Sequence, residues 1–142
     1  MLIFKKHKFI IIFISIVVFT SIIVFAQDDS ELNFIRQNLK NTNFSGQNLE
    51  NADFSKADLD HSNFEGANLS GANFTRANLK NCNFKNANLT KTKFIFSDLY
   101  NSNFEGATIK NTNFWHADLE NVIWINGKKC KKDSIGRCHF LF

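Results

Sequence analysis

From Phe34 onward a large apolar residue returns every five positions, with small or polar residues between. The series runs from Phe34, Leu39, Phe44 and Leu49 through to Phe114, Leu119 and Trp124, nineteen centres in unbroken register. Two places before each centre stands mostly Ala, Ser or Cys, as in Ala52, Ser62 and Cys82, and one place before it nearly always Asn or Asp. A repeat of this extent outranks every other local signal in the chain.

A period of five suits neither standard element. On an α-helix five residues rotate by about 500°, so successive centres land about 140° apart and form no apolar stripe. On a strand five is odd, so the centres alternate between faces. Either geometry leaves about half of the bulky groups in water, against the hydrophobic effect. A chain that bends through about a right angle every five residues turns all of them toward one axis, and four such sides close a square coil. The centres then sort into four walls. Phe34, Phe54, Phe74, Phe94 and Phe114 face Phe44, Phe64, Phe84, Phe104 and Trp124, and the other two walls are aliphatic. Rings are expected to stack on rings at about the 4.8 Å spacing of neighbouring strands. Bends at this frequency need positive φ, and Gly or Asn recurs two places after the centre, as at Gly46, Asn51, Gly66 and Gly71.

Segments such as Ala57-Asp58-Leu59, Ala67-Asn68-Leu69 and Ala77-Asn78-Leu79 resemble the loose A(D/N)LXX pattern of the pentapeptide-repeat family over residues 32–126. The resemblance implies an all-β fold, a right-handed quadrilateral β-helix (pentapeptide-repeat solenoid). Lys93 and Thr108 depart from the Asn/Asp position, and Gln37 and Gln47 stand where a small inward residue is expected, which points to a loose first turn.

The flanks have a different composition. Lys5, Lys6 and Lys8 precede an uncharged apolar run, Phe9–Ala26, rich in Ile, Phe and Val. This reads as an N-terminal signal or hydrophobic helix, residues 1–26, cleaved after Ala26 or retained as an inner-membrane anchor through residues 9–26. Export to the periplasm or outside the cell follows as the expected location. Residues 27–31 form a short polar N-terminal lid. Residues 127–142 leave the repeat and read as a C-terminal cap, needed because an open solenoid end exposes rings and unpaired backbone. The pattern running from Trp124 and Gly127 to Cys130, Gly136 and Cys138 is similar to tails of exported family members.

Charge divides unevenly. Residues 1–26 carry +3, residues 27–126 carry 9 − 12 = −3, and residues 127–142 carry 5 − 1 = +4. The repeat region alone, residues 32–126, balances at 9 − 9 = 0. Some family members resemble DNA in shape and negative charge and protect topoisomerases in the cytoplasm. A neutral repeat behind an export signal argues against that role and against a nucleic-acid partner.

Candidate chemistry is sparse. Cys130 and Cys138, eight residues apart in an exported tail, suit a small disulfide loop. A metal site of Cys130, Cys138 and His139 is the alternative, although the spacing is not that of a zinc ribbon. Cys82 occupies an inward small position and reads as a packed, unreactive thiol. His61 and His116 stand on outward corners of different sides, away from any serine–carboxylate pairing, and no phosphate loop is present. No cofactor, metal or catalytic residue is expected, and the protein reads as a non-enzyme.

The outward columns carry the functional hints. Lys40/Asp60/Lys80 and Glu65/Lys85/Glu105 alternate in sign and read as a self-compensating face. Arg36, Lys56 and Arg76 form a basic column suited to an anionic polymer or lipid headgroup, although Asp53 and Asp58 flank it. Ile95, Phe96, Tyr100, Trp115 and His116 gather apolar and aromatic groups where a solvated face should be polar. This patch is either an interaction surface or the dock for Phe140 and Phe142. The expected function is a non-catalytic exported scaffold for a protein or envelope component, with a homodimer through the same face as a variant. An exported enzyme or metal binder is the further alternative.

Overall fold

In the computed structural model the described residues are 9–12, 22–25 and 32–139. Residues 32–126 form a square coil of twenty residues per turn. Fifteen parallel bridges, from Asn33–Asp53 to Asn103–Ile123, each join positions twenty apart, four per turn. The ladder is two-way. The centre's N–H donates to the next turn, as Phe44 does to Asn63 (2.7 Å), and the N–H before it donates to the turn below, as Asn63 does to Thr42 (2.9 Å). Backbone polar groups in the coil are thereby satisfied by pairing.

The bends are turns in which the centre's carbonyl accepts the N–H three residues on, as in Phe54 to Ala57 (3.0 Å), except that at the Leu39 bend Thr42 N donates to Ser62 Oγ (3.3 Å). The residue two after the centre has positive φ at every corner from Arg36 to Asn121. Positive φ at that position alone is the type II pattern. The Asn/Asp before each centre has a local reason. Its Oδ1 accepts the N–H two residues on, as Asn63 does from Glu65 (3.0 Å) and Asp53 from Ser55 (2.8 Å). It also ladders between turns, Asn88 donating to Asn68 and Asn68 to Asn48 (3.0 and 2.9 Å).

The core is a single dry column. Phe44 through Phe104 and Leu49 through Leu89 are fully buried, while Ile109 and Trp124, at the C-terminal end, are partly buried. Rings within a wall stack nearly parallel, Phe54 on Phe74 at 4.9 Å and 3°. The facing Phe walls also meet across the axis, edge to face, Phe54 against Phe64 at 5.8 Å and 84°. This pairing of stacked and T-shaped contacts suits the aromatic quadrupole in both directions. The small inward positions admit hydroxyls and a thiol because each finds a carbonyl. Ser62 donates to Leu39 (2.8 Å), Cys82 to Leu59 (3.1 Å) and Thr92 to Leu69 (2.8 Å).

Despite Gln37 and Gln47, all four bridges between the first and second turns are formed, so these residues do not loosen the ladder. Gln37 is exposed.

After Asn126 the chain reverses. Ile123–Lys129 and Asp118–Ile135 are antiparallel bridges, and Leu119 donates to Ser134, Cys130 to Val122 and Gly136 to Ala117 (2.8, 2.8 and 2.9 Å). The tail thus pairs with two of the four sides of the last turn.

The apolar leader differs from the expected helix where it is described. Strand β1, Phe9–Ile12, pairs antiparallel with β2, Ile22–Phe25, with Phe9 opposite Phe25. A run of Ile, Val and Phe favours extended backbone, and uninterrupted apolarity cannot by itself distinguish strand from helix. Among the described residues no helix is long and apolar enough to cross a membrane. The cleavage point after Ala26, the lid at 27–31, and Phe140 and Phe142 lie outside the described residues.

Candidate functional site

The corner between the Phe34 and Leu39 walls bears Arg36, Lys56, Arg76, Phe96 and His116, one per turn. The basic column and the aromatic patch are therefore one ridge. The guanidinium carbon of Arg76 lies 5.8 Å from the Phe96 ring centroid, and Phe96 stacks on His116 at 5.2 Å and 17°. Trp115, beside the ridge, meets Phe96 at 4.9 Å and His116 at 4.4 Å, both edge to face. Trp115 is 57% exposed and Phe96 45%. Ile95 is half-buried. Tyr100 is exposed on the next side but joins none of these ring contacts. Of the five expected patch residues, Phe96, Trp115 and His116 form the aromatic cluster, and Arg76 extends it.

The neighbouring acids are engaged. Lys40 pairs with Asp58 (3.1 Å) and Lys80 with Asp98 (2.9 Å), eighteen residues apart, so neither lysine uses Asp60 as the simple column suggests. Asp60 instead accepts from Asn81 (3.0 Å). Lys85 pairs with Glu105 (3.0 Å), as the alternating column implies. The hydrogen bonds to Asp98 and Glu105 hold the Lys80 and Lys85 ammonium groups above their ordinary pKa. Among the described residues Arg36, Lys56 and Arg76 make no ion pair.

Cys130 and Cys138 form a disulfide with Cα atoms 5.1 Å apart. Both thiolates are thereby unavailable to the alternative metal site with His139, whose Nε2 accepts from Arg137 Nε (3.4 Å). Among the described residues no group of three or more His, Cys, Asp or Glu side chains is placed to hold a metal. Cys82 is buried, and desolvation pushes its thiol far above the ordinary pKa.

This architecture defines a solenoid of five-residue repeats whose interior is filled and whose chemistry is displayed on walls and corners. A family model for pentapeptide repeats matches eight copies over residues 30–66, 67–106 and 87–123, more than half of the chain, and the chain belongs to that family. No curated protein sequence is significantly similar to it. Among solved structures it is similar to the pentapeptide repeat protein Rfr23 from the cyanobacterium Cyanothece 51142. The TM-score is 0.64 at 24% identity, covering 67% of this chain and 79% of that one. A pentapeptide repeat protein from the Arabidopsis thaliana thylakoid lumen is 32% identical over 63% of this chain and 69% of its own, with a TM-score of 0.28. QnrB1, a plasmid-mediated fluoroquinolone resistance protein, is 19% identical over 66% of this chain and 61% of its own, with a TM-score of 0.35.

Proposed function

We propose that the protein is a non-catalytic, exported scaffold that binds a protein or envelope component through the Phe96–Trp115–His116 cluster. The observation that carries this reading is the pair of large aromatic groups, Phe96 and Trp115, held in water on a fold whose other repeat phenylalanines stack inside. Exposed clusters of this kind, rimmed by polar groups, mark contact surfaces. Export is supported by the three lysines ahead of the apolar run and agrees with a disulfide in the tail. The neutral repeat region speaks against DNA mimicry.

Crosslinking in intact cells followed by mass spectrometry, comparing wild type with Phe96→Ala/Trp115→Ala, tests the reading. Loss of the crosslinked species in the double variant is the expected result, and unchanged recovery would overturn it.

A further inference from the structure

We infer that the Arg36–Lys56–Arg76–Phe96–His116 ridge, with Trp115 beside it, is an edge that docks on an anionic lipid surface. This rests on the binding-scaffold reading above and names the partner's chemistry. The first ground is the backbone. Corners from 36 to 121 all have positive φ, and Asn or Gly, which enter that region at little cost, hold eleven of the thirteen corners outside this ridge. None stands on the ridge. Arg36 (φ 59°), Lys56 (61°), Arg76 (61°) and Phe96 (56°) instead adopt a conformation unfavourable to such side chains, turn after turn, on one corner of four. Strain concentrated in this way points to what the side chains do outside the coil.

The second ground is chemistry in a line. Neighbouring turns bring Arg76 to Phe96 at 5.8 Å and Phe96 to His116 at 5.2 Å. Five members at about 4.8 Å per turn extend roughly 20 Å along one straight edge. A corner is convex, so it does not enclose a small ligand, but it meets a plane along its length. Arginine and lysine at one end match lipid phosphates, and at the other Trp115 is an amphipathic ring of the kind that settles at a headgroup boundary, with the apolar Phe96 ring beside it. Of the flanking acids, Asp58 is charge-paired with Lys40 (3.1 Å), and Asp53 keeps its charge but turns its Oδ1 to Ser55 N (2.8 Å) and Asn73 Nδ2 (3.2 Å) rather than to the column. At the C-terminal end Gly136 packs near the His116 backbone, which brings the cationic tail to the same end of the ridge.

The test is co-sedimentation of the full chain with vesicles of phosphatidylcholine alone and of phosphatidylcholine mixed with phosphatidylglycerol. The apolar leader binds both vesicle types and its three lysines are the same in every variant, so the readout is the change in anionic preference between wild type and variant. Wild type is expected to show a preference that salt weakens. In Arg36→Gln/Lys56→Gln/Arg76→Gln that preference should fall on the order of a hundredfold, from about one kcal/mol per cation near the surface. A blue shift of emission on anionic vesicles should be lost in Trp115→Phe, which retains Trp124. Circular dichroism of each variant guards against misfolding. Equal sedimentation of wild type with both vesicle types, or an unchanged preference in the triple variant, overturns the lipid edge. If aromatic-dependent protein crosslinks persist in cells in that case, the scaffold reading stands and only the lipid partner is lost.

Discussion

Phe64 lies flat against Phe84, twenty positions further along the chain, with ring centroids 5.0 Å apart and planes within 4° of parallel. Phe64 also rests on Phe44 at 4.9 Å and meets Phe54 and Phe74 edge-on at 5.8 and 5.6 Å. One ring therefore joins three turns of the coil, and its removal leaves a gap in both walls.

Phe64→Ala should cost about 3–5 kcal/mol, the range for deleting a buried aromatic group. Phe64→Leu should cost less because it retains most of the volume. Thermal or urea unfolding followed by far-UV circular dichroism measures the difference, and a loss below 1 kcal/mol for the alanine variant contradicts the packing described.

Glycine corners separate backbone strain from crowding. A Cβ on Gly46 (φ 66°) meets nothing within 4 Å, whereas one on Gly71 (φ 74°) runs into the Asn51 side-chain amide. Gly46→Ala should cost about 1 kcal/mol, from the left-handed conformation alone. Gly71→Ala should cost more until Asn51→Ala removes the obstacle. A double-mutant cycle in chemical denaturation checks this coupling.

Phe96→Asn should keep the fold within about 1 kcal/mol of wild type. Asparagine relieves the left-handed strain, roughly offsetting the aromatic contacts with Trp115 and His116. A melting temperature near wild type, together with lost crosslinks, is the expected pair of results. A large drop in melting temperature shows the ring to be structural.

Stability should decline on the alkaline side because of Cys82. Burial raises its thiol pKa from the ordinary 9.0, so above that pH the unfolded chain loses a proton that the folded chain keeps. The unfolded state then gains from deprotonation and stability falls as pH rises. Cys82→Ser retains a donor for the Leu59 carbonyl and should flatten this decline. Below pH 9 the native thiol should resist alkylation until the coil opens, which a thiol-reactive dye during urea titration reports. The exposed Lys80–Asp98 pair should add little, being screened by solvent.

The Cys130–Cys138 bond secures the reversed tail on the last turn. Cys130→Ser/Cys138→Ser should destabilise by roughly 2–3 kcal/mol for a loop of this size. Amides of Leu119 and Trp124, which donate to Ser134 and Lys128 of the tail, should lose hydrogen-exchange protection before those of the middle turns. Uniform protection along the coil would show that the tail does not act as a cap.

Much of the fold was legible because the repeat is local and covalent. Once Phe34 points inward, five-residue bends carry Leu39, Phe44 and their successors inward, and Asn63 and Asp53 each accept an N–H two residues on within their own bend. The ridge was only half legible. Arg36, Lys56 and Arg76 stood out as a column and Phe96 and Trp115 as a patch, but the signal joining them was the common position two places after the centre. Gly and Asn dominate that position on the other three corners, so the residues that replace them on this one carry no local pattern of their own.

Chain order and residue type were enough to dictate the square, its four walls and the dry column, because each bend is set within five residues and water drives every bulky centre the same way. Contacts between side chains that reach around a corner were decided in space. Lys40 finds Asp58 rather than Asp60, facing phenylalanines meet edge-on across the axis, and the tail turns back to pair antiparallel with two sides only. Each depends on rotamer reach and on neighbours about twenty residues away, and no five-residue pattern encodes those distances.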